Sequence, residues 1–290
     1  MTPTLDATRL VAALGQASRR FDVDLLPQCD STNSMLLSRA EVGAASGTVL
    51  AATLQTAGRG RRGREWIAAP GDSLTFSLLW RFAPGSVPIG LSLAVGVAVA
   101  RALEKVMRSS IQPDGAGDTP QRFESDRREC GAVSGKSPWG AALKWPNDVL
   151  YQGKKLGGIL VELLPGAPHV AVIGIGINRR LPAALPHDVR TTAAALGDHI
   201  EINVLLAALL SELLTVLESF AIAGFAALRA DWLARHAFQD APVVLLSDFS
   251  PPRHGICRGV DKDGALLLEV DGHIERILSG EISLRAATPV

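Results

Sequence analysis

The sequence predicts an α/β protein in which helices cover a sheet of about six or seven strands, followed by a small β-barrel of about fifty residues. Short segments such as residues 74–80 alternate apolar and polar side chains, as half-buried strands do. Longer apolar segments, at residues 89–107 and 205–220, have the length of helices. Two Asp-Gly pairs, at residues 263–264 and 271–272, indicate tight hairpins near the carboxyl terminus.

The first part of the chain is predicted to alternate helices and strands. Residues 5–19 have the pattern of a short amphipathic helix, and residues 21–26 and 48–54 are predicted strands. Between these strands, Asp30-Ser-Thr-Asn33 supplies N-cap side chains for a helix that ends near Ala40. The strand at residues 74–80 follows in the same sheet.

The middle of the chain is predicted to contain a long helix and an insertion. Residues 89–107 form the helix, and Gly90 and Gly96 inside it indicate close packing on the sheet. Residues 109–138 are rich in Pro, Gly, Asp, Arg and Ser and show no apolar periodicity. We therefore predict a flexible insertion there, to which the sequence assigns no role.

After the insertion the sheet resumes and helices cover one face of it. The predicted strands are residues 141–145, 156–164 and 169–177. The last two strands are joined by the turn Pro165-Gly166. The predicted helices are residues 205–220 and 224–236.

A change of pattern after Gln239 divides the chain into two predicted domains. Short strands and Asp-Gly turns replace the long apolar segments there. We predict a large domain over residues 1–238, which contains the insertion, and a small barrel over residues 239–290.

Composition limits what kind of protein this is. The 290 residues, 47% of them hydrophobic, can bury a full core, which excludes a disordered protein. The 29 basic and 29 acidic side chains balance, whereas a nucleic-acid-binding domain is expected to be basic. Residues 1–20 lack the features of a secretory signal, and the longest apolar run, residues 89–100, is too short to span a bilayer. We therefore predict a cytoplasmic protein that binds neither nucleic acid nor membrane.

The residues that bind metals or act as nucleophiles form no familiar motif. Cys29, Cys130 and Cys257 are about a hundred residues apart, so we predict bystander thiols, and the six histidines are scattered singly. Residues 131–137 imitate a phosphate-binding P-loop, but their first glycine is one residue too close. Gly174-Ile-Gly-Ile-Asn178 begins like a dinucleotide fingerprint, but arginine follows it and no helix pattern starts there. The sequence therefore predicts no metal site from protein motifs.

The Arg/Gly loop, residues 55–66, is the strongest functional signal, with four arginines and three glycines. Glycine lets backbone N–H groups approach a ligand, and guanidinium groups donate paired hydrogen bonds to phosphate or carboxylate. We interpret the loop as an active-site lid that closes over an anion. A solvated basic turn and a nucleic-acid contact are the alternatives. The glycine spacing disfavours the first, and the balanced charge disfavours the second.

Two lysine motifs lie at predicted strand ends. Lys144-Trp-Pro-Asn-Asp148 combines a cation, a rigid turn and a carboxylate. Lys155-Leu-Gly-Gly-Ile159 places a lysine at the start of a strand, where two glycines allow close backbone approach. A surface lysine explains either motif alone, but their joint presence with the Arg/Gly loop favours a phosphate-binding site.

Taken in order, these segments resemble bacterial biotin protein ligase over about residues 20 to 290. The motifs that carry the resemblance are Asp30-Ser-Thr-Asn33, the Arg/Gly loop with Trp66, Lys144-Trp-Pro-Asn-Asp148, Lys155-Leu-Gly-Gly-Ile-Leu-Val-Glu162, Gly174-Ile-Gly-Ile-Asn178 and Gly280-Glu-Ile-Ser-Leu-Arg285. The resemblance implies a mixed-sheet α/β catalytic domain of the biotin/lipoate ligase type with a small C-terminal SH3-like β-barrel.

The resemblance also implies a role for each matching residue. Those implied to bind biotin are Ser31, Thr32, Asn33, Gln55, Arg59, Gly60, Arg61 and Lys155. Those implied to bind ATP or the adenylate are Arg59, Arg61, Arg62, Arg64, Trp66, Asn147 and Asn178. Those implied to be catalytic are Lys155, Asp148 and Lys144.

The implied reaction uses biotin, ATP and Mg²⁺. Biotin and ATP give biotinyl-5′-AMP and pyrophosphate, and a lysine of a biotin carboxyl carrier domain, in acetyl-CoA carboxylase or a related carboxylase, then takes the biotin. Asp148 is expected to orient or deprotonate that lysine. A lipoate-protein ligase is the rival within this chemistry, and a non-catalytic biotin-sensing or nucleic-acid-binding protein is the rival outside it.

The chain also departs from the larger members of the family, which carry an N-terminal winged-helix DNA-binding domain. Only about twenty residues precede the first predicted core strand. We therefore expect the short form, without DNA binding. The resemblance leaves a homodimer possible, and it does not identify the acceptor protein.

Overall fold

A seven-stranded mixed sheet forms the centre of the molecule in this computed structural model, which describes residues 4–111, 140–183, 185–247, 251–278 and 282–287. Its strands are β1 (Asp22–Cys29), β2 (Thr48–Gln55), β3 (Ser73–Arg81), β4 (Ala141–Lys144), β5 (Asp148–Tyr151), β6 (Lys154–Leu164) and β7 (Ala167–Asn178). They lie in the order β1-β2-β3-β7-β6-β5-β4. Only β1 and β2 pair in parallel among these neighbours, so the predicted mixed α/β fold is confirmed.

Helices pack on both faces of this sheet. They are α1 (Ala7–Leu14), α2 (Thr32–Glu41), α3 (Leu91–Ile111), α4 (His187–Thr192), α5 (Ile202–Ala223) and α6 (Arg229–Ala234). On one face α3 lies on β4, β5 and β6, and α5 packs on α3 and α1. A Cβ at Gly96 would lie 3.4 Å from Leu143 of β4, so α3 does approach the sheet closely there. On the other face α2 packs against buried residues of β2, β3 and β7, including Leu50 and Leu79.

Helix α5 is apolar over a longer stretch than residues 89–100, which were predicted to be the longest apolar run. Among the described residues it alone has the length and composition to cross a membrane. Its leucines are instead buried in the core beside α3, which is the usual place for such a helix in a globular domain. We therefore assign α5 to the core.

Several predicted element boundaries were wrong, chiefly where glycine ends or precedes a helix. The predicted helix over residues 5–19 ends at Leu14, because Gly15 has a φ of 56°, and continues as the 3₁₀ helix Gly15–Arg20. Gly90, with a φ of 80°, precedes α3 rather than lying inside it. The predicted helix over residues 224–236 is a 3₁₀ turn, Phe225–Leu228, followed by the short α6.

The predicted insertion at residues 109–138 begins too early. Residues 109–111 are the last turn of α3, and residues 112–139 lie outside the described residues. The four-residue strand β5 was not predicted, because it is too short for its alternation to stand out.

A second, five-stranded antiparallel sheet forms the carboxyl-terminal part of the chain. It contains β8 (Pro242–Ser247), β9 (Arg253–Val260), β10 (Leu266–Val270), β11 (His273–Ile277) and β12 (Ile282–Ala286), in the order β11-β10-β9-β8-β12. Asp271 and Gly272, at φ 49° and 79°, form the predicted two-residue hairpin. This arrangement fits the predicted SH3-like barrel.

Hydrogen bonds connect the two sheets. The indole N–H of Trp145, which is fully buried, donates to the carbonyl of Gly264 in the β9–β10 connection at 3.1 Å. Ser92 at the start of α3 donates to the carbonyl of Pro146 at 3.2 Å. The turn between β4 and β5 is therefore held both by the small domain and by α3. The predicted domain boundary after residue 238 lies between α6 and β8 and stays a prediction.

The thiols that the structure describes are buried. Cys29 and Cys257 are both free, and burial raises the pKa of Cys257 to about 11. Cys130 lies outside the described residues. Within the described part of the chain, no three His, Cys, Asp or Glu side chains are grouped as a metal site.

Candidate active site

A cavity of about 180 Å³ lies between the Arg/Gly loop, the large sheet and β12 of the small domain. All of the predicted site residues except Asn178 line it. The lining residues that sequence reasoning missed include Thr75, Phe76 and Ser77 of β3, Gly174 and Gly176 of β7, and Ile282, Ser283 and Leu284 of β12. The cavity therefore combines residues from both sheets.

One end of the cavity, the polar end, consists of Ser31, Thr32, Asn33, Gln55 and Ser77. Ser31 is the N-cap of α2, which places Thr32 and Asn33 in the first helical turn with their side chains buried against the sheet. The backbone N–H of Thr32 donates to Gln55 Oε1 at 2.7 Å, and the Thr32 and Ser77 hydroxyl oxygens lie 2.8 Å apart. Ser77 in turn donates to Asn33 Oδ1 at 2.7 Å. The polar end is a connected network of uncharged groups.

Glu162 of β6 connects the polar end to the Arg/Gly loop. Asn33 Nδ2 donates to Glu162 Oε2 at 2.8 Å, and Arg59 Nη2 donates to Glu162 Oε1 at 2.7 Å. Arg59 also donates to the hydroxyl of Ser34 at 3.1 Å. Sequence reasoning quoted Glu162 within a motif but gave it no role. The available signal was a carboxylate inside the otherwise apolar residues 156–164 of the strand.

The opposite end, the charged end, consists of Lys144, Asp148 and Lys155. Lys144 and Asp148 face each other across the β4–β5 hairpin, and Lys155 is the second residue of the neighbouring strand β6. The Asp148 carboxylate is 2.9 Å from Lys144 Nζ and 2.6 Å from Lys155 Nζ. Burial alone would raise the pKa of Asp148, but the two ammonium groups outweigh burial and lower the pKa below its ordinary value. Asp148 is therefore a carboxylate at neutral pH.

Asn147 and Arg61 join the charged end to the Arg/Gly loop. Asn147 Nδ2 donates to the carbonyl of Ile159 at 2.8 Å, which fixes the amide beside β6. Its Oδ1 accepts a hydrogen bond of 3.3 Å from Arg61 Nη1. Burial lowers the pKa of Arg61, although its guanidinium remains charged. The loop thus reaches both ends of the cavity, through Arg59 and Arg61.

The Arg/Gly loop is folded over the cavity as a short hairpin. Gly60 N–H donates to the carbonyl of Arg64 at 2.7 Å, and Trp66 N–H donates to the carbonyl of Gly58 at 2.9 Å. A Cβ at Gly58 would lie 2.6 Å from the Trp66 carbonyl oxygen, closer than real side chains come. Glycine at 58 is therefore required by close backbone approach, and not only by the conformational freedom from which a mobile lid was predicted.

The Trp66 side chain covers two glycines of the cavity wall. A Cβ at Gly176 would lie 2.7 Å from the indole, whereas a Cβ at Gly158 would lie 3.6 Å from it. The indole Nε1 is buried and has no hydrogen-bond partner within the described residues. An indole N–H without a partner is costly to bury, so Trp66 Nε1 is a donor available to a hydrogen-bond acceptor in the cavity.

Asn178 does not line the cavity, contrary to the expectation that it joins the other site residues. It ends β7, and its amide donates to the carbonyl of Ala194 at 3.0 Å. The strand runs past the cavity wall at Gly176 before it reaches Asn178, which explains the displacement.

Two families of known proteins match this chain. Residues 25–178 match the biotin/lipoate A/B protein ligase family, and residues 251–285 match the biotin protein ligase C-terminal domain. The first match covers the large sheet from β1 to β7, and the second covers most of the small domain.

Individual relatives match over nearly the whole chain. The bifunctional ligase/repressor BirA of Escherichia coli is 37% identical, over 98% of this chain and 79% of that protein. The biotin–[acetyl-CoA-carboxylase] ligase of Mycobacterium tuberculosis is 32% identical, over 97% of this chain and 96% of that protein. The biotin protein ligase of Aquifex aeolicus, solved with biotin and ATP, superposes with a TM-score of 0.71 at 28% identity, over 92% of this chain and 99% of that one.

Proposed function

Because this chain belongs to the biotin/lipoate A/B protein ligase family, we propose that it is an ATP-dependent biotin protein ligase. It activates biotin to biotinyl-5′-AMP and transfers the biotin to a lysine of a carboxylase carrier domain. The observation that carries this proposal is a single cavity with an uncharged polar end, a cationic end and an arginine loop that contacts both.

The polar end supplies what the ureido ring of biotin requires. That ring is uncharged and carries two N–H donors and one carbonyl acceptor, so it is recognised by directional hydrogen bonds rather than by charge. Ser31, Thr32, Asn33 and Gln55 present hydroxyl and amide groups to the cavity. Their mutual hydrogen bonds fix their orientations before biotin arrives, which lowers the entropic cost of binding.

The charged end suits the carboxylate of biotin and the α-phosphate of ATP. A carboxylate oxygen attacks the α-phosphorus, the bond to the bridging oxygen of the β-phosphate breaks, and pyrophosphate leaves. Lys155 and Lys144 neutralise the charge that collects on these oxygens. Both ammonium groups lie on Asp148, which holds them at the cavity wall. The arginines of the loop, Arg59, Arg61, Arg62 and Arg64, add cationic groups above the same space.

Magnesium is expected to arrive with the nucleotide. The described residues contain no ready-made group of three metal ligands. Mg²⁺ commonly binds through substrate phosphates and water with one or two carboxylates, so this donor set fits an ion carried by ATP, with Asp148 as a carboxylate that lines the cavity. When bound, the ion supplies further neutralisation of phosphate charge.

The second half-reaction places the acceptor lysine at the charged end. Its amine attacks the acyl carbon of biotinyl-5′-AMP, the bond to the phosphate oxygen breaks, and AMP leaves. Asp148 has a lowered pKa, so it is a weak base and serves to orient the incoming amine. The barrel residues Ile282, Ser283 and Leu284 line the same cavity, so the small domain borders the approach of the acceptor.

The loop must move during this cycle. At about 180 Å³ the cavity is smaller than the roughly 300–1,000 Å³ of ordinary small-molecule sites. Entry of biotin and ATP therefore requires Trp66 and the loop arginines to swing outward. Closure afterwards shields the mixed anhydride from water, which would otherwise hydrolyse it.

We further propose a cytoplasmic enzyme that binds no nucleic acid; the balance of 29 basic and 29 acidic residues supports the absence of nucleic-acid binding. For Asn178 we propose an indirect role at the nucleotide side of the site, through its bond to Ala194. The acceptor proposed is the biotin carrier domain of acetyl-CoA carboxylase or a related carboxylase, in line with the names of the relatives.

Exchange of radiolabelled pyrophosphate into ATP tests the proposal. We expect exchange that depends on biotin and is not supported by lipoate. Exchange with lipoate alone would identify a lipoate-protein ligase instead. Tight biotin binding without any exchange would indicate a non-catalytic biotin-binding protein.

A further inference from the structure

The guanidinium of Arg179 is a buried cation outside the cavity, and no step of the proposed reaction uses it. Arg179 is 2% exposed and follows Asn178 at the end of β7. Its Nη1 donates to the carbonyl of Gly71 at 3.0 Å. Its Nε is buried and has no partner among the residues that the structure describes.

Gly71 belongs to the return segment, residues 67–72, through which the Arg/Gly loop rejoins the sheet at β3. The backbone holds this point as well, since the N–H groups of Arg179 and Arg180 both donate to the carbonyl of Asp72, at 2.7 and 2.9 Å. The other end of the loop is fixed by the N–H groups of Thr56 and Ala57, which donate to the carbonyls at the end of β1, those of Cys29 and Asp30. Arg179 is thus the side chain that fixes the carboxyl-terminal end of the loop.

The same residue is connected to the charged end of the cavity. Gly197 N–H donates to the carbonyl of Arg179 at 2.9 Å, and Ala194 N–H donates to the carbonyl of Lys155 at 2.8 Å. The segment from 194 to 197 therefore connects Arg179 to the backbone of Lys155. Residues 194–197 thus link the base of the Arg/Gly loop to Lys155, over which the loop closes.

The charge on Arg179 is poorly compensated. Asp198 is 3.7 Å away, exposed to solvent, and already paired with Arg180 at 2.5 Å. Burying an incompletely paired guanidinium opposes folding, and an apolar side chain of similar volume often stabilises such a position. Stability therefore does not account for arginine here, whereas the bond to Gly71 gives it a geometric role.

We propose that Arg179 is a positioning residue that holds the base of the Arg/Gly loop, so that the closed loop retains biotinyl-5′-AMP. The proposal rests on the proposed function for its ligand, but the position of the loop base does not depend on that function. Loss of a hydrogen bond from a charged donor corresponds to about tenfold or more in the equilibrium between closed and open loop.

Two measurements on Arg179→Met test this role, with Arg180→Met as the control because Arg180 is the adjacent, exposed arginine. The first is the rate at which preformed, labelled biotinyl-5′-AMP leaves the enzyme, followed by rapid gel filtration. The second needs no ligand: it is the rate at which trypsin cuts the loop at its arginines. We expect both rates to rise about tenfold in Arg179→Met and to stay within about twofold of wild type in Arg180→Met.

Two further measurements separate a positioning role from a purely structural one. If Arg179 positions the loop, the thermal midpoint of Arg179→Met should stay within about 5 °C of wild type. The Kd for biotin without ATP should stay within about threefold of wild type, because the polar end does not touch Arg179. Wild-type release and cleavage rates in a folded Arg179→Met, or equal increases in both variants, would overturn the proposal.

If Arg179→Met does not fold, Arg179→Lys decides, since lysine keeps the charge but its shorter side chain does not reach as far as the Nη1 that donates to Gly71. Rates between those of wild type and a tenfold increase would support the role, and wild-type rates would refute it. Failure of the wild-type chain to form any adenylate would instead refute the proposed function, and trypsin cleavage would still test the loop anchor.

Discussion

The two ends of the cavity differ in charge and in how their polar groups are paired. At the polar end, four of the five uncharged side chains, those of Thr32, Asn33, Gln55 and Ser77, are joined by hydrogen bonds, and Ser77 and Thr32 are fully or almost fully buried. At the charged end, one carboxylate holds two ammonium groups, and Lys155 remains half-exposed. The side chains of the polar end are already oriented by their own hydrogen bonds. At the charged end, phosphate has to displace the ion pairs between Asp148 and the two lysines. The comparison indicates that biotin affinity and catalytic rate can be altered separately.

The largest effect is expected at the charged end. Lys155→Ala should slow formation of biotinyl-5′-AMP about a hundredfold or more, the usual cost of removing one preorganised electrostatic stabiliser. Biotin binding should change little, because the polar end is intact. Single-turnover formation of the labelled adenylate measures the rate, and Lys154→Ala, at the exposed neighbouring lysine, is the control. An unchanged rate in a folded Lys155→Ala would remove Lys155 from the mechanism.

The next effect concerns the loop arginine that touches the charged end. Arg61→Gly removes the hydrogen bond to Asn147 and adds backbone freedom, so the closed loop should lose stability. We expect the adenylate still to form, but to escape and biotinylate serum albumin on the order of thirtyfold more than with wild type. A biotin blot after incubation with biotin, Mg-ATP and albumin measures this. Normal adenylate synthesis with wild-type albumin labelling would show that Arg61 does not retain the intermediate.

A smaller and purely binding effect is expected at the polar end. Ser77→Ala removes the hydroxyl between Thr32 and Asn33 and should weaken biotin binding about tenfold, with kcat within about twofold of wild type. Calorimetric titration gives the Kd. Ser73→Ala is the matched control on the same strand, because the Ser73 hydroxyl is buried without a partner in the described part of the chain. A fall in kcat without a change in Kd would mean that the two ends are not separable.

Substitution of the two glycines in the cavity wall tests whether the Trp66 indole packs against that wall. Gly176→Ala places a Cβ 2.7 Å from the indole, and Gly158→Ala places one at 3.6 Å, which is an ordinary contact. We expect Gly176→Ala to shift the tryptophan fluorescence of the unliganded enzyme and to raise the KM for ATP about fivefold. Gly158→Ala should do neither. Equal behaviour of the two variants would mean that Trp66 does not occupy this position in solution.

The last prediction is that the chain shows no specific DNA binding. With balanced charge, the purified chain should not bind operator-like DNA specifically at physiological salt, with or without biotin and ATP. Gel shift and fluorescence anisotropy measure this. A sequence-specific shift that depends on biotin would contradict the prediction.

What the sequence predicted well is local in the chain. The strands alternate at period two, and the Arg/Gly loop and the lysine motifs are continuous segments, so pattern and resemblance identified them directly. What it missed depends on contacts between distant segments. Glu162 meets Asn33 across 129 positions, and Arg179 meets Gly71 across 108. Which side chains meet at such a distance is decided by strand register and packing, and a single sequence does not specify these. Asn178 lies outside the cavity for the same reason, since its motif does not reveal where β7 leaves the cavity, and its contact with the nucleotide stays a prediction.

The bond between Trp145 and Gly264 bears on how the molecule unfolds. If the small domain detached, a fully buried indole N–H beside the β4–β5 turn would lose its acceptor, and that turn carries Asn147 and Asp148. Separation of the domains would therefore disturb the turn before the large sheet itself melts. We therefore expect the two domains to unfold together, and calorimetry of the unliganded enzyme should record one cooperative transition rather than two.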